Sequence, residues 1–246
     1  MKNVIKTSIL ISSLLLSPLS ALAAPKAAAP GANPASTSGL VTKVATVDAK
    51  GAKPVASPGW TIVEEEVWLP LSFEPLFTLD AIRASHRQHE ERAAATSIDK
   101  AVSWLQLAQS SAMPVTESKL KAAIAELQPL AVELRKGDIV ASAKLDSALA
   151  KSAHALAEWH FFKVLPLAGR GEERLAANNL MLAANYLRHA ANSANYQFGP
   201  DTTKIVNQIY KNGELQSTTT EFDHDQLAIN LHAIAQAVKE LGVKLK

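Results

Sequence analysis

The chain contains no cysteine, and that absence limits both its structure and its chemistry. It excludes disulfides, a thiol nucleophile, iron–sulfur clusters, thiolate copper sites and CxxCH haem attachment. Long apolar runs are also missing, because no segment after the first 23 residues approaches ~18 consecutive apolar residues. We therefore expect a protein that does not span a membrane and that is held together by burial of a hydrophobic core.

An excess of charge of one sign is missing as well. The formal net charge is +2, and without Lys2 and Lys6 the numbers of basic and acidic residues are equal. The sequence contains no run of Lys or Arg, and a nucleic-acid surface needs a concentrated positive charge. The composition therefore argues against a nucleic-acid partner.

Residues 1–23 have the pattern of a cleavable signal peptide. Lys2 and Lys6 precede a short apolar run at 9–16, Pro18 follows it, and "ALA" at 21–23 provides small residues before the cleavage point. No cysteine lies near this point to carry a lipid. The pattern predicts export to the periplasm with cleavage after Ala23.

Composition and the spacing of apolar residues divide the rest of the chain into three segments. Residues 24–58 are rich in Ala, Pro, Gly and Ser and are predicted to be a disordered linker, because they have little apolar surface to bury. Residues 59–77 are predicted to be an extended arm, since Val63, Val67 and Leu69 alternate with polar or aromatic positions. Residues 78–246 are predicted to form a single all-α domain.

Apolar residues spaced three and four apart predict a bundle of about five helices from Thr78 onward. Thr116 is expected to be an N-cap, Gly137 to end the same helix, and the following helix to stop near Pro166. The last helix is expected to begin at Asp223. Its apolar seam suits packing inside a bundle or self-association, and consists of Leu227, Leu231, Ile234, Val238, Leu241 and Leu245.

An internal repeat lies at the centre of this domain. Residues 90–112 (EERAAATSIDKAVSWLQLAQSSA) and 172–194 (EERLAANNLMLAANYLRHAANSA) are identical at ten of 23 positions with an offset of 82, and Trp104 is aligned with Tyr186. The pattern predicts a duplicated αα-hairpin. Its small residues are similar to half of a tetratricopeptide unit, although the Trp, Gly and Pro landmarks of that family are missing.

Two other segments resemble a known family. "AVELRKGD" at 131–138 and "LDSALAKSAHALAEWH" at 145–160 resemble the YfdX family of exported bacterial helical proteins, whose function is poorly defined. The resemblance implies an exported all-helical protein and provides no catalytic motif.

The segment "SHRQHEE" suggests a metal site. His86 and His89 are expected to continue the face of Leu79 and Ile82, with Glu90 four residues beyond His86. With His160 from a neighbouring helix, these side chains are candidate ligands for zinc, copper, nickel or a non-covalent haem iron. The alternatives are hydrogen-bonded residues at a helix boundary or a pH-sensing cluster. His154 is expected to face solvent.

No G-x-S-x-G, P-loop or HExxH motif is present, so the sequence predicts no enzyme. It predicts instead an interaction protein of the cell envelope, associated with stress, that binds a protein partner or itself through helical surfaces. The alternative is a protein that binds a transition metal or haem through histidines.

Overall fold

The computed structural model describes residues 43–45, 60–62, 71–215 and 224–246, with side chains at 71–210 and 225–246. Within these residues the protein is a helical bundle, which confirms the predicted all-α class. Its helices are α1 Glu74–Arg87, α2 Glu91–Ser110, α3 Pro114–Lys136, α4 Ser142–Gly169, α5 Glu173–Ser193, α6 Pro200–Leu215 and α7 His224–Lys244.

Two short strands precede the helices. Lys43–Ala45 (β1) and Trp60–Ile62 (β2) pair in parallel, with Lys43 opposite Trp60. β1 lies within the predicted disordered linker, which therefore contains one short regular element. α1 begins at Glu74, so the last four residues of the predicted arm are helical rather than extended. The predicted signal peptide and the alternating stretch at 63–69 lie outside the described residues.

The described residues contain seven helices rather than about five, for two reasons. The first predicted helix is interrupted at His89, whose φ of 59° is left-handed and ends α1 before α2 begins. The second reason is α6, which was not predicted because Thr and Asn are poor helix formers. Its signals are Pro200 at the first position, and Val206 and Ile209 on one buried face.

Several predicted helix ends need correction. α3 begins at Pro114 with Met113 as its N-cap, because proline lacks an N–H and suits the first helical turn. Thr116, the predicted N-cap, is buried inside the helix and donates to the Met113 carbonyl at 3.1 Å. Gly137 ends α3 in the left-handed conformation, as predicted. α4 continues through Pro166 to Gly169 and does not stop at the proline.

α4 is the central helix of the bundle. It packs against α5, α3, α7, α1 and α2, and every residue from Ser152 to His160 is buried. Alanines at 153, 155 and 157 let the neighbouring helices approach closely on several sides. A helix surrounded in this way buries its polar residues together with its apolar ones. The polar side chains of this part of α4 therefore lie inside the core.

The apolar seam of α7 packs within the same chain. Ile234, Val238 and Leu241 are buried in the core, and Leu227, Leu231 and Leu245 are partly buried against it. The helix lies on α4, α5 and α6. The seam is thus used for intramolecular packing, and we do not assign self-association to it.

Candidate functional site

The turn between α1 and α2 carries the histidine pair singled out in the sequence. The N–H of Glu90 bonds to the carbonyl of Ser85 at 2.9 Å, and the N–H of His89 bonds to the carbonyl of His86 at 3.1 Å. These two hydrogen bonds form a Schellman motif at the C-terminus of α1. Its left-handed position, here occupied by His89, is usually a glycine. His89 therefore belongs to the turn, and the expectation that it continues the buried face of α1 is wrong.

His86 lies in the last turn of α1 and contacts two polar side chains. Its Nδ1 donates to Glu91 Oε2 at 3.4 Å, and its Nε2 accepts from Ser142 Oγ at 3.5 Å. Both distances are at the long limit of a hydrogen bond. The imidazole thus joins the ends of α1, α2 and α4, which is the role of a hydrogen-bonded boundary residue.

An open cleft lies beside this turn. It has a volume of about 560 Å³, opens broadly to solvent, and is lined by residues 89–93 at the start of α2 and by residues 134–137 at the end of α3. Two of the predicted ligands, His89 and Glu90, lie on its wall. Because the residues come from the two exposed ends of adjacent helices, the walls of the cleft combine charged side chains with apolar surface.

Several polar side chains of this cleft have no partner within the described residues, although Glu91 pairs with His86 and Arg135 with Asp99. His89, Glu90, Arg92 and Lys136 make no side-chain hydrogen bond or ion pair within the described residues. Elsewhere on α2–α5, exposed charges are paired, as in Lys144–Glu133 at 2.8 Å and Lys151–Glu126 at 2.7 Å. The cleft therefore presents free charges of both signs.

His160, the remaining predicted ligand, lies in a different place. It is buried, its Nδ1 donates to Asn179 Oδ1 at 2.9 Å, and its ring stacks on Tyr186 with centroids 5.4 Å apart. Burial, together with a smaller contribution from Lys163, lowers the pKa of His160 to about 3. This imidazole is therefore neutral near pH 7, with Nε2 as its acceptor atom.

The surroundings of His160 form a small aromatic cavity of about 30 Å³. Trp104 from α2, Trp159 from α4 and Tyr186 from α5 line it together with Ser72 and His160. The hydroxyl of Tyr186 donates to the Ser72 carbonyl at 3.0 Å, and burial raises its pKa. The indole N–H groups of both tryptophans are buried without an acceptor in the described part of the chain.

Lys163 lies next to this cavity. Its Nζ is 3.2 Å from the centroid of the Trp159 ring, a cation–π contact. No carboxylate of the described residues pairs with it, and burial lowers its pKa to about 7. The amine beside the aromatic residues is therefore only partly protonated near pH 7.

Two other histidines are buried where the sequence did not indicate it. His154, expected to be solvated, donates from Nε2 to the Val238 carbonyl of α7 at 2.8 Å, and burial lowers its pKa. His189 contacts Asp80 at 3.3 Å, and burial lowers its pKa while Asp80 raises it. The periodicity of apolar residues along one helix could not predict these contacts, since they are made with helices distant in sequence.

The candidate ligands do not come together. His86 contacts Glu91 and Ser142, His89 and Glu90 line the open cleft, and His160 lies in the core beside Tyr186. Across residues 71–210 and 225–246, no cluster of three or more His, Asp or Glu side chains is arranged to hold a metal. The metal-site hypothesis therefore has no support in this geometry and stays a prediction.

Comparison with family models, curated proteins and solved structures gave no match. The function must therefore be argued from the side chains. Among the described helices, none combines the length and the apolar character needed to cross a membrane.

Proposed function

We propose that this chain is an exported, non-enzymatic protein that binds a protein partner through the cleft between the start of α2 and the end of α3. The observation that carries the proposal is the set of unpartnered charges at Glu90, Arg92 and Lys136, which lie together on one open cleft beside His89. The signal-peptide pattern and the resemblance to the YfdX family support the exported location.

The shape and charge of the cleft favour a protein over other ligands. Sites for small molecules are mostly apolar and enclose their ligand, whereas this cleft is open to solvent and carries charged side chains of both signs. A nucleic acid would select a uniformly positive surface, and here Glu90 lies between His89 and Arg92. Protein surfaces present charges of both signs, so they can match such a pattern and gain specificity from it.

The test places a photo-crosslinking residue in the cleft at Ala93 and, as a control, on α7 at Ala228, since both side chains are exposed. Crosslinking is carried out in living cells and the products are identified by mass spectrometry. We expect a defined envelope protein to be captured from Ala93 and not from Ala228.

Charge reversal then tests the mechanism. Arg92→Glu with Lys136→Glu should reduce the Ala93 crosslink by about tenfold or more, because two favourable contacts become repulsive. Lys204→Glu with Lys239→Glu is the matched control, since both lysines are exposed, lie outside the cleft and have no ion pair within the described part of the chain. Equal crosslinking in the two double variants would show that the cleft is not the binding surface.

A further inference from the structure

Lys163 carries an amine that is held against an aromatic ring at the edge of the core. It lies on α4 one turn after Trp159, and its Nζ is 3.2 Å from the centroid of the indole ring. The residue is half-buried, so it is partly withdrawn from water without being enclosed. The ring contact gives this amine a defined position, which a fully exposed lysine does not have.

The other two lysines of α4 have a different environment. Lys144 pairs with Glu133 at 2.8 Å and Lys151 with Glu126 at 2.7 Å, both glutamates being on α3. Lys163 has no carboxylate partner within the described residues and contacts the indole ring instead. A partly buried ammonium without a counter-charge loses its proton easily, which is the usual origin of reactive lysines.

The charge of Lys163 follows from these surroundings. Burial lowers its pKa to about 7, and His160, one turn earlier on α4, is neutral at this pH. The contact with the Trp159 ring acts in the opposite direction, because it favours the ammonium and retains part of the charge. Near pH 7 the side chain is therefore a mixture of ammonium and free amine, and the free amine is a nucleophile.

The aromatic ring indicates which electrophile suits this amine. An acyl donor would convert the amine into a neutral amide and end the cation–π contact with Trp159. A carbonyl compound forms an imine instead, and a protonated imine keeps a positive charge over the ring. The half-buried position also limits the access of water, which would hydrolyse the imine. The surroundings of Lys163 thus favour a small carbonyl compound.

We propose that Lys163 is a covalent binding site for small aldehydes, which its Nζ captures as an imine on the face of Trp159. The Nζ lone pair attacks the carbonyl carbon, and the two hydrogens of the amine leave with the carbonyl oxygen as water. One amine and one aldehyde therefore give one imine and one water, without an oxidant or a reductant. This site is separate from the protein-binding cleft, so either proposal can fail without the other.

The first measurement determines which lysines of the full-length mature protein react with propanal. Sodium cyanoborohydride converts each imine into a stable propyl group, and peptide mapping by mass spectrometry gives the rate at each lysine. At pH 7 we expect Lys163 to react at least about tenfold faster than the exposed Lys204 and Lys239, because an exposed lysine is almost fully protonated at this pH. The difference should disappear at about pH 10.

Two results of this mapping would contradict the proposal. One is a rate at Lys163 that equals or falls below the rates at Lys204 and Lys239 at pH 7, which would mean that burial only shields the amine. The other is a preference for Lys163 that persists in guanidinium chloride, since the preference would then not come from the fold.

The second measurement counts the fast adducts in matched variants by the mass of the intact protein. Lys163→Arg keeps a cation for the Trp159 ring but cannot form an imine, so it should lose one fast adduct. Lys151→Arg makes the same exchange on the same helix and should keep it. An unchanged count in Lys163→Arg would assign the reaction to another amine and overturn the proposal. The peptide map requires no variant, so it decides the question even if Lys163→Arg does not fold.

Discussion

The helix pairs α1–α2 and α4–α5 turn the chain in the same way but differ in how they are buried. In the second pair the N–H of Glu172 bonds to the Leu167 carbonyl at 3.0 Å and that of Gly171 to the Ala168 carbonyl at 3.0 Å. These are the bonds of the first turn, displaced by 82 residues, and Gly171 occupies the left-handed position of His89. Duplication itself stays a prediction.

The difference lies in what surrounds each pair. α1 has 14 residues and buries one side, at Pro75, Thr78, Leu79 and Ile82. α4 has 28 residues and is buried all round from Ser152 to His160. The first pair thus carries its histidines at the turn, whereas α4 carries His154 and His160 inside the core. Local sequence sets the turn, and packing sets the chemistry of the side chains.

The largest effect is expected from matched core positions of the two pairs. Leu105 and Leu187 are aligned by the repeat and are both fully buried. Replacing either with alanine should lower the free energy of unfolding by about 3 kcal/mol, because buried methyl groups are lost and a cavity remains. Urea unfolding measures the change. Leu165→Ala on the exposed side of α4 should cost less than about 0.5 kcal/mol.

The next effect concerns the contact between the two pairs. Arg83 of α1 donates to Asp146 of α4 at 2.9 Å and also to Ser193 of α5. Arg83→Ala leaves both acceptors without this donor and should cost about 2 kcal/mol in unfolding free energy. The exposed pair Lys100–Glu74 is the control, and Lys100→Ala should cost about 0.5 kcal/mol or less. If both variants lost the same amount of unfolding free energy, the contacts of Arg83 would contribute no more than an exposed ion pair.

The pH dependence of stability should come from the second pair. The pKa of His160 falls from 6.5 in the unfolded chain to about 3 on burial, and burial also lowers the pKa of His154 and His189. Below pH ~6.5 the unfolded state therefore binds more protons at these histidines, so their contribution to stability falls as pH falls and is complete above that value.

Each buried histidine contributes up to about 1.4 kcal/mol per pH unit in this window. Urea unfolding at pH 7.5, 6.5 and 5.5 measures the slope, which His160→Gln should reduce by roughly one proton. His232→Gln, at an exposed position of α7, should leave it unchanged. An unaltered slope in His160→Gln would mean that this imidazole binds as many protons in the folded chain as in the unfolded chain.

A smaller effect follows from exchanging the turn residues. His89 has a φ of 59° and Gly171 a φ of 75°, a region that disfavours residues with a Cβ. His89→Gly should raise the free energy of unfolding by about 0.5–1 kcal/mol, and Gly171→Ala should lower it by about 1 kcal/mol. Thermal unfolding of the two variants should show melting temperatures that move in opposite directions. Shifts of the same sign would contradict the equivalence of the turns.

The smallest effect is expected for metal binding at the first turn. Protein purified without chelators or an affinity tag should contain well below one equivalent of zinc, copper, nickel or iron, because its candidate ligands lie apart. Elemental analysis beside His86→Ala/His89→Ala should give equal values. Near-stoichiometric metal that disappears in the double variant would replace the interaction proposal with a metal site.

Much of the local structure could be predicted from short stretches of sequence. Gly137 ended a helix as expected, since a left-handed C-terminus favours glycine, and apolar spacing identified the seam of α7. α6 was missed because threonine and asparagine weaken its propensity, although Val206 and Ile209 are buried. α4 continued past Pro166 for about one turn even though proline removes a helical hydrogen bond. Local rules thus failed where tertiary packing was stronger.

The sequence by itself determined the all-helical class, the position of most helices and the matching of Trp104 with Tyr186, because these depend on spacing along the chain. Only the tertiary structure decided that both aromatics line one cavity, that His154 and His160 are buried, and that the α7 seam faces inward. The reason is physical: periodicity shows which side of a helix is apolar. Whether the polar side meets solvent or another helix depends on neighbours far away in the chain.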